Sequence, residues 1–256
     1  MDELDAKLRF SKGDKPLSKA QTAISNTERL VYFLSERWLL VFSIIYGAFV
    51  GLPFLAPVLM EVGWEVPGRA LYFVYSFLCH QLPQRSFFLF GSEFTYSLTE
   101  IQAVWQDVFN PLVLRQFTGN AQMGWKVAWS DRMVSMYTSI WFFGLIWWWL
   151  GKKRKPLPVW GFALFLLPMG LDGITHFISD LAGFGEGFRF SNLWLAELTN
   201  HVFPESFYAG TTWGTFNSWM RLITGTLFGF GVVWFGFPYI DELFPQTRRV
   251  KESQSY

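Results

Sequence analysis

The sequence has little cysteine, histidine or charge. It has one cysteine, Cys79, three histidines, and 16% charged residues among 256. A single cysteine cannot form an intramolecular disulfide, so a disulfide scaffold is excluded and the redox compartment stays undetermined. Soluble domains carry about 25% charged residues, so this chain has too few charges for a surface that faces water on all sides.

Aromatic and apolar residues take the place of the missing charge. Phe, Trp and Tyr make up 20% of the chain, hydrophobic residues make up 51%, and the mean hydropathy is +0.22. This composition excludes disorder, collagen and coiled coils, and it is typical of an integral membrane protein.

Four apolar stretches are predicted to cross the membrane as helices. The first, Trp38 to Met60, has 23 residues, enough for a hydrocarbon core of about 30 Å at 1.5 Å per residue. The others are near the lower length limit for a span; they are Met133 to Leu150, Val159 to Ser179 and Trp219 to Phe237. The first 37 residues have no apolar run, so no cleavable secretory signal is predicted.

The cations predict the orientation of the spans. Lys and Arg cluster before the first span, in the turn Lys152 to Lys155, and at the C-terminal end. The positive-inside rule places these clusters in the cytoplasm. We therefore expect a cytoplasmic polar tail over residues 1–37, one helical membrane domain over 38–240, and a cytoplasmic tail over 241–256.

The segment 69–91 is too poor in apolar residues to span. The chain is outside after the first span and must start outside at the second, so this segment crosses an even number of times or not at all. Pro83 also interrupts any helical ladder. We predict a re-entrant or interfacial helical hairpin on the outer side, with short helices in the outer loops at 98–109 and near 192–201. The predicted fold class is all-α integral membrane, with about four transmembrane helices plus this hairpin.

Polar residues in or beside the spans are the candidate functional residues, because an ionised Asp or Arg at a helix centre costs about 2.5 to 3.5 kcal/mol. They form four groups in the outer half of the bilayer, where they could converge. The groups are Cys79, His80, Gln81 and Arg85; Asp131, Arg132 and Tyr137; Asp172, Thr175 and His176; and Asn217, Arg221 and Thr224. The spacing of Asp172 and His176 places them on one helical face.

The blocks around these groups resemble a domain-of-unknown-function family of predicted prokaryotic membrane proteins with a Cys-His-Gln-x-Pro-x-Arg-Ser motif. The blocks are 79–88, 131–137, 171–176 and 221–229. The resemblance implies a multi-helix, multi-pass fold in the inner (plasma) membrane of a prokaryotic cell, and it implies no known reaction. Many members of that family carry a Cys-x-x-Cys pair where this chain has Ser130 and Met133. A thiolate-rich metal or redox site of those relatives would be lost here.

Two interpretations of the polar groups remain open. Cys79, His80, Asp172 and His176 supply the ligand types of a tetrahedral zinc site, and an open zinc would activate a water for attack on a lipid headgroup. The interpretation that we favour is a hydrogen-bonded network in which Asp172 pairs with Arg132 or Arg221 and stabilises helix packing.

Two functions follow from these interpretations. We favour a non-catalytic accessory subunit whose aromatic helices and long outer loops bind lipids, a cofactor such as a quinone or pigment, or other membrane protein subunits. The alternative is an outer-leaflet, metal-assisted hydrolase acting on a lipid-like substrate. No nucleic-acid partner is expected, because topology accounts for the cation clusters. The small face formed by Gly225 and Gly229 predicts close helix packing, more within the bundle than to a partner.

Overall fold

Long helices account for most of the chain. The computed structural model describes residues 30–31, 33–150 and 155–254, with side chains up to residue 243. In chain order the helices are α1 (Trp38–Glu61), α2 (Glu65–Tyr75), α3 (Leu98–Val104), α4 (Pro111–Leu114), α5 (Asp131–Trp149), α6 (Val159–Asp180), α7 (Phe188–Ser191), α8 (Leu193–Leu198), α9 (Glu205–Tyr208) and α10 (Phe216–Gln254). Residues 30–31 and 33–36 are also helical.

The chain divides into two units by its backbone contacts. The larger unit is Phe42–Leu243, and the smaller consists of Met1–Val41 with Phe244–Tyr256. Every candidate site residue lies in the larger unit. The predicted cytoplasmic cations of residues 1–29 and of Lys152–Arg154 lie outside the described residues, so their location stays a prediction.

Three helices of the described chain are long and apolar enough to cross a membrane: Trp38–Glu61, Val159–Asp180 and Phe216–Leu243. They correspond to three of the four predicted spans. The fourth predicted span forms α5, but this helix is not among the three. Serine, threonine and tyrosine side chains along α5 make it less apolar than the others.

The two predicted outer-loop helices form, but both are shorter than expected. Ser97 caps α3 in a reciprocal capping box with Glu100, which satisfies donors at the start of the helix. The helix stops at Val104 because Trp105 turns away and packs on the ring of Phe117. In the second outer loop, Asn192 separates α7 from α8 with a left-handed φ of 46°, a conformation that Asn tolerates better than most residues.

The all-α prediction is wrong in one respect, because the chain also forms a three-stranded antiparallel sheet. Its strands are β1 (Ser86–Leu89), β2 (Gly119–Asn120) and β3 (Gly124–Ser130), in the order β1-β3-β2. Sequence periodicity missed it because strands of two to seven residues carry too few repeats to indicate a period. The pairing of β1 with β3 also joins segments about 40 residues apart, which no local pattern records.

The predicted helical hairpin over 69–91 is helical only in its first arm. Helix α2 ends at Tyr75, and a 3-10 turn at Pro83–Arg85 leads into β1. Pro83 has no N–H to donate, and Gln81 has a φ of 51°, which no right-handed helix continues through. The second arm therefore pairs in the sheet.

An aromatic cluster joins the sheet to the helices of the larger unit. The fully buried ring of Trp129, on β3, lies 5.1 Å from Phe49 of α1, 5.3 Å from Tyr75 of α2 and 4.7 Å from Tyr137 of α5. The Tyr75 hydroxyl also donates to the carbonyl of Phe49. These contacts fix β3 and the start of α5, which supply Ser130, Asp131, Arg132 and Met133 to the candidate site.

Helices α5 and α10 pack through small residues. The Ser135 hydroxyl donates to the carbonyl of Arg221 at 3.1 Å, and the Ser139 hydroxyl donates to the carbonyl of Gly225 at 3.3 Å. A Cβ at Gly225 or Gly229 would collide with these serines. The small face is thus used within the bundle, as predicted.

Adding a methyl group to this contact is expected to destabilise the fold. We expect Gly229→Ala to lower the free energy of unfolding by about 1 to 3 kcal/mol, because the new Cβ overpacks against Ser139. The control is Gly236→Ala on the same helix, where a Cβ meets nothing within 4 Å. Thermal unfolding in detergent measures both, and equal midpoints would contradict the packing.

Candidate functional site

A cavity of about 590 Å³ gathers most of the predicted polar residues. It lies where the first turn of α5 and the second half of α6 meet the segment after α2. Eight of the thirteen predicted residues line it: Cys79, His80, Gln81, Arg85, Asp131, Arg132, His176 and Arg221. The four sequence groups therefore do converge.

The other five predicted residues do not line this cavity. Asp172 lies behind its wall, bonded to Arg132, and Tyr137 packs on Trp129 in the aromatic cluster. The hydroxyls of Thr175 and Thr224 donate to carbonyls of their own helices. Asn217 lines a separate, small cavity of about 20 Å³ behind Arg85.

Asp172 of α6 holds two arginines. Its buried carboxylate accepts one hydrogen bond from Arg132 Nη2 of α5 and one from Arg189 Nη2 of α7, each 2.6 Å long. His176 Nε2 lies 3.2 Å from Arg189 Nη2. Since a guanidinium only donates, His176 Nε2 accepts this bond, and the ring proton is on Nδ1. The predicted pairing of Asp172 with Arg132 is confirmed.

Arg221 of α10 pairs with Asp131 and not with Asp172. Its Nε lies 2.8 Å and 2.7 Å from the two Asp131 oxygens, and its Nη2 donates to the Thr211 carbonyl at 2.8 Å. Both side chains are almost fully buried. Asp131 opens α5, where the helix dipole also favours a carboxylate. The pair ties α10 to the N-terminal end of α5.

A third pair, which the sequence did not indicate, lies at the edge of the cavity. Arg85 donates through Nη1 and Nη2 to the two oxygens of Asp180, at 2.9 Å and 2.7 Å. This bidentate geometry gives both strength and orientation. Asp180 was missed because it is the last residue of α6. A charged residue at this position usually belongs to a solvated helix end.

Arg189 was also missed, because its loop shows no periodicity that would place it. The backbone N–H of Arg189 donates to the Ser179 hydroxyl, and its guanidinium lies 5.3 Å from the centre of the Phe216 ring. Burial lowers the pKa of the Arg189 guanidinium, and the Asp172 carboxylate opposes this shift. Its salt bridge with Asp172 therefore keeps the buried charge in place.

The four predicted zinc ligands do not assemble. Cys79 is buried, and its Sγ accepts from the backbone N–H groups of Gln81 and Ser130 at 3.3 Å and 3.4 Å. His80 beside it is exposed, and both oxygens of Asp172 bond to arginines. In the part of the chain that the structure describes, no group of three or more His, Cys, Asp or Glu could hold a metal ion.

The departure from the family pattern falls in the wall of the same cavity. Ser130 and Met133 both line it, and the Ser130 hydroxyl lies 3.5 Å from Cys79 Sγ. A cysteine pair at these two positions would thus face the cavity beside Cys79. In this chain a hydroxyl and a thioether stand there, which removes the thiolate ligands that soft metals prefer.

Lys126 of β3 is a fully buried amine next to the cavity wall. Its Nζ donates to the carbonyls of Gln81 and Arg115, at 2.8 Å and 2.7 Å. Burial lowers the pKa of Lys126 to about 7, with Cys79 opposing this shift and Arg115 adding to it. A neutral amine has two N–H donors, which match the two carbonyls. Sequence patterns did not indicate this buried amine, because the segment that forms β3 was expected to be part of an outer loop.

Comparisons with known proteins agree with the resemblance. Residues 121–235 match the model of a family described as "Predicted membrane protein (DUF2085)". The chain is also similar to an uncharacterized protein of Methanocaldococcus jannaschii, 29% identical over 154 residues that cover 57% of this chain and 76% of the archaeal protein. No solved structure matches. The predicted resemblance to a membrane protein family is therefore confirmed over residues 121–235, while the block at 79–88 precedes the matched residues.

Neutralising Asp172 is expected to destabilise the protein strongly. Asp172→Asn leaves Arg132 and Arg189 buried beside a neutral amide, and breaking a buried pair in this way costs about 3 to 5 kcal/mol. The control is Glu65→Gln, which breaks an exposed pair with Arg69 and should cost no more than about 0.5 kcal/mol. Unfolding in detergent compares the two variants, and similar losses would show that the network contributes little.

The buried amine predicts a pH dependence of stability. Between pH values of about 7 and 10.5 the unfolded chain keeps the Lys126 proton and the folded protein loses it. The unfolded state then binds more protons, so stability rises with pH in this window. The free-energy cost of burying the charged Lys126 amine is fully present below a pH of about 7 and absent above 10.5.

Lys126→Met removes this dependence while keeping the length of the side chain. We expect the thermal midpoint of the wild type to gain several degrees relative to the variant as the pH rises from near neutral toward 10. Other titrating groups affect both proteins alike and cancel in the difference. Parallel midpoint curves would show that Lys126 keeps an ordinary pKa.

Proposed function

We propose that this chain is a non-catalytic integral-membrane subunit that binds an amphiphilic membrane molecule in its outer-side cavity. One observation carries the proposal: the cavity wall combines paired arginines with apolar side chains that are exposed on the outside of the helices. Phe177 of α6 and Leu181, the residue after this helix, line the cavity and are 66% and 72% exposed. An amphiphile in the bilayer can enter past them and place its polar end against the arginines.

The proposed topology has four spans, with both termini in the cytoplasm. Helix α5 is the fourth span, although composition alone does not select it. Its polar side chains are turned inward: Ser135 and Ser139 bond to α10, and the indole of Trp141 donates to the Ser43 carbonyl of α1 at 3.0 Å. A helix with neighbours on these sides needs less hydrophobicity than one that faces lipid all round.

In this topology α2 and the sheet lie at the outer surface of the membrane. Helix α2 has eleven residues, too few to span. Phe73 and Val74 in its last turn are exposed, and so is Phe77, two residues after the helix ends. These side chains suit an interfacial position in which the apolar face dips into the outer leaflet.

Binding is favoured over catalysis by the state of the ionisable groups. The cavity aspartates are paired with arginines, and His176 Nε2 accepts from Arg189. Cys79 is a buried thiol that accepts backbone hydrogen bonds. A catalytic acid or base must exchange a proton with the substrate. These side chains instead form hydrogen bonds or ion pairs with one another or with the backbone.

Filling the cavity tests the proposal. Gly173 lines it, and a Cβ there would lie 3.3 Å from Arg132 Nη1, so Gly173→Leu should block entry. The matched control is Gly170→Leu, one turn earlier on α6, where a Cβ meets nothing within 4 Å. Native mass spectrometry of the detergent-purified proteins should show bound lipid in the wild type and in the control, and a loss of roughly tenfold in Gly173→Leu.

Two outcomes would contradict this function. Equal lipid retention in the two leucine variants would mean that the cavity is not the binding site. Conversion of added lipid by the wild type, abolished in Gly173→Leu, would favour the hydrolase. The subunit role is tested separately by purification in a mild detergent, since a lone monomer without a partner protein would exclude it.

A further inference from the structure

We infer that the cavity selects a lipid whose headgroup is a phosphodiester with one net negative charge. This inference rests on the proposed binding function, and it specifies the chemistry of the bound molecule. It is carried by the charge of the cavity wall, by guanidinium nitrogens without partners, and by the apolar wall beside them.

The charged side chains that line the cavity do not balance. Arg85, Arg132 and Arg221 contribute three positive charges, and Asp131 and Asp180 contribute two negative charges. The pair of Asp172 and Arg189 behind the wall adds no net charge. One cation therefore remains without a counterion among arginine side chains that are mostly buried, which favours the entry of an anion. A single negative charge on the ligand completes the balance.

Arg132 supplies the donor that lies at the cavity wall. Its Nη2 is committed to Asp172, whereas its Nη1 lies beside Gly173, which lines the cavity. The Nε atoms of Arg85, Arg132 and Arg189 and the Nη1 atom of Arg221 are buried and have no hydrogen-bond partner within the described chain. These unpaired donors add to the positive potential that an anion in the cavity experiences.

Phosphodiester oxygens fit the donor that Arg132 Nη1 presents beside Gly173. The two non-bridging oxygens share one negative charge and accept charge-assisted hydrogen bonds from guanidinium groups, often in pairs. Leaving buried guanidinium N–H groups without an acceptor costs more than leaving a neutral group unpaired. The aspartates are held by arginines, so they do not repel an incoming anion as free carboxylates would.

The apolar part of the wall favours a lipid over a free phosphate ion. Met133, Phe177 and Leu181 line the same cavity, and a small anion would leave their surface uncovered. An acyl chain that follows Phe177 and Leu181 toward the bilayer covers it, and burial of apolar area adds to the binding. Both sources present the same phosphate chemistry to Arg132, so the experiment separates them.

The test is a binding titration of the full-length, delipidated protein in detergent micelles, read by native mass spectrometry. The probes are phosphatidylglycerol, phosphatidylcholine with identical acyl chains, and inorganic phosphate. We expect phosphatidylglycerol to bind roughly tenfold more tightly than phosphatidylcholine, and millimolar phosphate to leave it bound. Equal affinity for the two lipids, or displacement by phosphate alone, would overturn the inference.

A charge variant localises the selectivity. Arg132→Gln removes the excess charge and keeps an amide donor toward Asp172, so it should abolish the preference while retaining phosphatidylcholine. Arg69→Gln, at an exposed position of α2 outside the cavity, should keep the full preference. If Arg132→Gln does not fold, the ratio of the phosphatidylglycerol and phosphatidylcholine affinities of the wild type still tests the headgroup selectivity. Failure of both lipids to bind the wild type would refute the binding function itself, whereas equal binding refutes only the headgroup selectivity.

Discussion

The structure of the candidate site depends on the carboxylate of Asp172. It is buried in α6, and it holds Arg132 of α5 and Arg189 of α7 at 2.6 Å each. Three consecutive helices of the chain meet at this one side chain. Because a buried charge is tolerated only with partners in good geometry, the two arginines fix α5 and α7 relative to α6. The cavity wall, including Gly173 one residue on, takes its shape from this arrangement.

Hydropathy and the cost of buried charge were enough to predict the three long apolar helices and eight of the residues that line the cavity. The position of Asp172 inside an apolar helix is itself the signal, since such a residue is rarely found there without a partner. Arg189 and Lys126 left no such signal. Arg189 lies in a loop, and Lys126 lies on a strand whose neighbours are supplied by β1 and β2. Strand pairing between segments about 40 residues apart determines the environment of Lys126, and a loop that folds back onto α6 determines that of Arg189. A single sequence encodes neither contact in a local pattern.

Helix α5 shows why composition undercounts the helices of a bundle. Ser135 and Ser139 lower its hydropathy, yet they are the residues that allow α10 to approach, because Gly225 and Gly229 leave room for their hydroxyls. Each hydroxyl donates to a carbonyl of α10, so its polarity is satisfied inside the protein. A helix with polar side chains matched to a neighbour is therefore less hydrophobic by sequence than one that faces lipid, and it packs more closely.

The cavity unites two properties that seldom occur together in one wall. Paired arginines require partners and a rigid frame, whereas Phe177 and Leu181 remain exposed beside them. Both conditions are met where the C-terminal end of α6 meets the segment that follows α2. The salt bridges of Asp131 and Asp180 hold their arginines without neutralising the whole wall. A rigid frame with one unmatched positive charge and an apolar edge matches the charge and polarity of an amphiphilic anion, and this physical combination is the basis of the binding role that we propose.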